Sequence, residues 1–116
     1  MRQGATADGS PGAASRPPRG LLVTGAAEVA TLAGGLRRGA AQDEPAIAPP
    51  GTAVACLQGR IIAVALEAEA RETLAAALAE IGAAPDACDV IDATGGTVTP
   101  GLVDPHTHLL LSLIHI

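Results

Sequence analysis

Ala53-Val54-Ala55-Cys56-Leu57, then Gln58-Gly59-Arg60, then Ile61-Ile62-Ala63-Val64-Ala65, is two apolar runs joined by a short polar break with a glycine at its centre. Runs of this length, rich in β-branched and small apolar residues and bounded by a turn signal, read as a β-hairpin. Gly59 supplies the positive φ that a tight hairpin turn demands. This segment sets the class of the region around it as mainly β.

Downstream of the hairpin the period changes. Leu66, Ala70, Leu74, Leu78 and Ile81 recur at steps of four and three, which makes one apolar face of an amphipathic helix over residues 67–81. Gly82 stands where a helix C-terminus wants a left-handed residue. After the Ala83-Ala84-Pro85-Asp86 loop, residues 89–93 read as a strand, Thr94-Gly95-Gly96 as a turn, and residues 97–100 as a further extended run. Upstream, Leu21-Leu22-Val23-Thr24 is a short strand turned by Gly25, residues 29–32 resume it, and residues 37–50 read as a loop closed by Pro49-Pro50-Gly51. Residues 1–19 carry glycine and proline without hydrophobic periodicity and read as a disordered leader or an over-extended gene start. The chain contains no internal repeat.

Composition narrows the function classes. Among 116 residues there is no aromatic side chain, so the core must be built from Ala, Val, Leu and Ile, which bury less area per residue than aromatics do. All the basic residues are arginine, and a net charge of −5 leaves no basic patch, which disfavours nucleic acid as a partner. The N-terminal 20 residues lack the apolar core of a signal peptide. The apolar run from Leu109 to Ile116 is far short of the about 20 residues that span a bilayer, so no membrane role is expected and a cytoplasmic protein is the default. Cys56 and Cys88 lie in no C-x-x-C motif and read as free thiols.

The residues with chemistry lie in Thr99-Pro100-Gly101-Leu102-Val103-Asp104-Pro105-His106-Thr107-His108. An extended course from Leu102 places Leu102, Asp104, His106 and His108 on one face, so two imidazoles point the same way and can reach one metal ion. Pro105 sits badly in the hydrogen-bonded middle of a sheet, which asks for an irregular backbone there. A bare H-x-H is a weak signal, since solvated histidines at that spacing are common. Asp104 has two readings, as a partner that orients a ligand imidazole or as a turn residue.

In its full form this segment resembles the amidohydrolase superfamily, metal-dependent hydrolases in which an H-x-H at the end of the first strand of a (β/α)8 barrel supplies two metal ligands. The β-rich region before it, with a hairpin and then Val90-Ile91-Asp92-Ala93-Thr94-Gly95, resembles the N-terminal part of that superfamily's composite β-sandwich domain. Within the superfamily, Gly101 to Leu109 with Pro105 ahead of the first histidine is similar to the imidazolonepropionase family. The resemblance covers residues 20–110. It implies residues 20–100 as part of the β-sandwich domain and 101–110 as the first barrel strand of an α/β parent, while this fragment itself is mainly β with one short helix.

The resemblance further implies a zinc or iron ion held partly by His106 and His108, which lowers the pKa of a bound water toward about 7. The activity implied is hydrolysis of the ring amide of 4-imidazolone-5-propanoate, a small-molecule substrate, to N-formimino-L-glutamate in histidine degradation. A homodimer of the parent is compatible with it. Catalytic zinc takes three protein ligands and the barrel roughly 250 residues, so the remaining ligands and the substrate-binding residues are expected beyond residue 110, and the fragment is expected to be inactive. Two other readings stay open: another cyclic amidohydrolase or aminohydrolase of the superfamily, or a non-catalytic β-rich fragment.

Residues 111–116 depart from the family and resemble the in-frame translation of a transposase adapter used in sequencing libraries, which makes His115 an artefact of the tail. The carboxylates of Glu67, Glu69, Glu72 and Glu80 fit a solvated helix face, and Gly95-Gly96 fits a turn because no helix N-terminus follows it to hold a phosphate.

Overall fold

The structure, a computed structural model, describes residues 17–106. Residues 1–16 of the expected leader, the second histidine His108, and the tail with His115 lie outside the described residues.

The hairpin forms as its sequence demands. Strand β1 is Gly20–Thr24, β2 is Glu28–Val29, β3 is Thr52–Leu57 and β4 is Arg60–Leu66. Gln58 and Gly59 alone join β3 to β4, with φ of 51° and 79°. Two consecutive left-handed residues are the signature of a type I′ turn, whose twist matches that of the strands it joins. A bulge at Ala55/Cys56 breaks the register: Ala55 pairs with Ala63 and Cys56 with Ile61, so Ile62 has no partner opposite. The extra residue lets Ile62 and Ala63 both pack against the core.

Helix α1, Glu67–Glu80, follows β4 directly. Ala70, Leu74 and Leu78 are buried and seat on Leu22, Ala53 and Ala55 of the sheet. The expected apolar face is shorter than its periodicity predicts: Leu66 and Ile81 are 55% and 43% exposed. Leu66 is still a strand residue, paired with Thr52, and its direction follows the pleat of β4. At the other end Gly82 closes the helix, with its amide donating to the Ala79 carbonyl and the Ala83 amide reaching the Leu78 carbonyl, the paired bonds of a Schellman motif.

The helix carries the chain from one edge of the sheet to the other. Strand β5, Cys88–Asp92, lies beside β1 in parallel, with Leu22 opposite Val90, which gives a mixed four-stranded sheet ordered β4-β3-β1-β5. The mainly β expectation with one helix is met; among the described residues the layer that covers this sheet's inner face is α1. Arg19, assigned by sequence to the leader, is engaged at the sheet margin: its carbonyl accepts the Gln58 amide, and its guanidinium pairs with Asp89 at 2.8 Å.

A second, two-stranded parallel sheet joins β2 to β6, Thr97–Val98. The expected strand over 29–32 shrinks because Leu32 turns left-handed at φ 52°, while Ala30 bridges to Ile47 and Thr31 bonds Ala46 through its amide and hydroxyl. The segment 37–50 is thus more than a loop: it holds a 3-10 turn at Gly39–Asp43 as well as this bridge. Thr52, a buried polar residue, donates its hydroxyl to the Pro49 carbonyl at 2.6 Å and so leaves no unsatisfied group.

At the end of β5 the Asp92 carboxylate accepts both the hydroxyl and the amide of Thr94. The hydroxyl contact first, then the amide, holds its pKa below the usual carboxylate value. Gly25 passes against this pair: with φ of 74°, a Cβ there would sit 2.9 Å from the Thr94 hydroxyl oxygen.

Three outcomes follow from this packing. Leu78→Ala is expected to lower the stability read from a urea melt by about 2–5 kcal/mol, while Leu66→Ala stays within about 0.5 kcal/mol; equal effects would contradict the assignment of the buried stripe. In the turn, Gln58→Asn should raise the melting temperature and Gly59→Ala should cost roughly 1–2 kcal/mol, because asparagine visits the left-handed region readily and alanine does not. Because the folded pKa of Asp92 is depressed, its contribution is complete above the unfolded pKa and is lost as pH falls through the folded one. Thr94→Val is expected to move the Asp92 midpoint, followed by carboxyl NMR, upward toward its ordinary value, and an unmoved midpoint would dismiss the hydroxyl as its cause.

Candidate functional site

Beyond β6 no described residue lies in a strand. Residues 99–106 form no strand, and Leu102 and Val103 are 102% and 88% exposed. Over residues 101–104 no element is assigned, and a bend falls at 105–106. A strand needs a neighbour for its amides and carbonyls, and Pro100 and Pro105 each lack a donor.

A local turn takes its place. The Asp104 carboxylate accepts the backbone amide of His106 at 3.1 Å, an Asx turn across Pro105, whose ring presets φ for such a bend. The bond runs to the main chain of His106. His106 is exposed on this turn, and His108 lies outside the described residues.

The fit to a metal ion is incomplete. Among the described residues no three His, Cys, Asp or Glu side chains come together as a ligand group. Of the two histidines only His106 is among the described residues, and the neighbouring Asp104 carboxylate accepts its amide. The described residues add no ligand that the sequence had overlooked.

Other reactive groups lie elsewhere. Cys56 and Cys88 are free thiols on the sheet. Burial pushes the Cys88 thiol up, the nearby Asp89 charge pushes it further, and Arg71 only partly opposes them, so it is a protonated thiol at neutral pH and a poor nucleophile. A groove between α1 and β5 is lined by Leu22, Leu74, Leu78, Cys88 and Val90, with Arg71 at its side; it brings no second thiol or imidazole to Cys88. No helix among the described residues is long and apolar enough to cross a membrane.

Comparison with known proteins locates the chain by sequence. No family model matches it and no solved structure matches it. An imidazolonepropionase of Symbiobacterium thermophilum is 49% identical over 92 residues, which is 79% of this chain and 20% of that protein. An imidazolonepropionase of Myxococcus xanthus is 41% identical over 93 residues, again 79% of this chain and 19% of the relative. A dihydroorotase of Mycobacterium tuberculosis is 60% identical over a shorter stretch of 35 residues, 28% of this chain. The chain thus spans about a fifth of the length of the imidazolonepropionases it matches along most of its own. Identity sustained through strands, hairpin and helix marks common descent: over about a fifth of their length the chain is homologous to the imidazolonepropionases.

Proposed function

We propose that this chain is part of an imidazolonepropionase, and that the whole protein hydrolyses the ring amide of 4-imidazolone-5-propanoate to N-formimino-L-glutamate in the cytoplasm. The observation that carries this reading is the 49% identity over 92 residues, which covers 79% of the chain. A histidine pair alone would not select among hydrolases. The Asp104-Pro105-His106-Thr107-His108 segment supports it as a candidate source of two ligands for zinc or iron. Two imidazoles fall short of the three protein ligands that catalytic zinc takes, so at least one more is required, and the fragment alone is inactive in this reading. Asp104 contributes by fixing the backbone from which His106 leaves.

A second reading, a cyclic amidohydrolase such as a dihydroorotase, is favoured by the 60% identity over 35 residues. The two differ in reach: the shorter match covers 28% of the chain against 79% for the imidazolonepropionase.

Two measurements test the proposal. The isolated chain titrated with cobalt(II) or zinc(II) is expected to bind weakly, with His106→Ala and His108→Ala each reducing affinity by about tenfold or more, because losing a ligand costs at least what losing its supporting partner does; identical titrations of both variants and the parent chain would remove the histidines from the site. The whole protein encoded by the same gene is expected to open the imidazolone ring with release of N-formimino-L-glutamate. Turnover of dihydroorotate instead would establish the second reading.

A further inference from the structure

We draw no further inference here: the strongest candidate, the apolar sheet face turned away from α1 and formed by Leu21, Val23, Cys56, Val64 and Ile91, carries nothing because nothing in the structure shows what covers it.

Discussion

The seat of α1 on the sheet is the interaction on which the rest of the structure depends. Ala53 and Ala55 make a floor of small side chains on β3, and Leu74 and Leu78 descend onto it beside Leu22. Alanine at these positions lets the helix axis come close to the strands, so the leucines make the contacts that aromatics supply in most domains. The same docking fixes topology. By carrying the chain across from the β4 edge, α1 delivers β5 to the far side of β1, where parallel pairing requires a crossover of this kind.

Order in the chain follows distance from that seat. β5 pairs along its length with β1, β6 retains only a two-residue pairing with β2, and among the described residues none from 99 to 106 lies in a strand. Among the described residues the motif with the chemistry therefore begins where strand pairing ends. Asp104-Pro105-His106 still takes a defined shape, because an Asx turn closes through one side chain and one amide only two residues apart. An extended course for the histidines has no such local means of satisfying its backbone, and it requires neighbouring strands.

Much of the fold was legible before any coordinates. The hairpin about Gly59 and the helix ended by Gly82 follow from backbone demands that few residues meet. Periodicity overreached at the two ends of α1: Leu66 and Ile81 match the helical spacing, yet Leu66 follows the pleat of β4 and both stay exposed. It underread residues 37–50, where the bridge from Ala30 to Ile47 rests on backbone groups that leave no pattern in side chains. The candidate site was legible only as a motif. His106 and Asp104 are placed by a local turn, while His108 lies outside the described residues, among which no ligand group is assembled.

By itself the sequence determined the local elements and the kinship with imidazolonepropionases, because turn chemistry, apolar spacing and identity with relatives are all properties of order along the chain. Only the tertiary structure decided that β5 lies parallel to β1, that α1 rather than a second sheet layer covers the inner face, and that Asp104 engages the main chain of His106. The physical reason is that pairing between distant strands and the covering of a face depend on which surfaces meet once entropy has been overcome, and no short window of residues contains both surfaces.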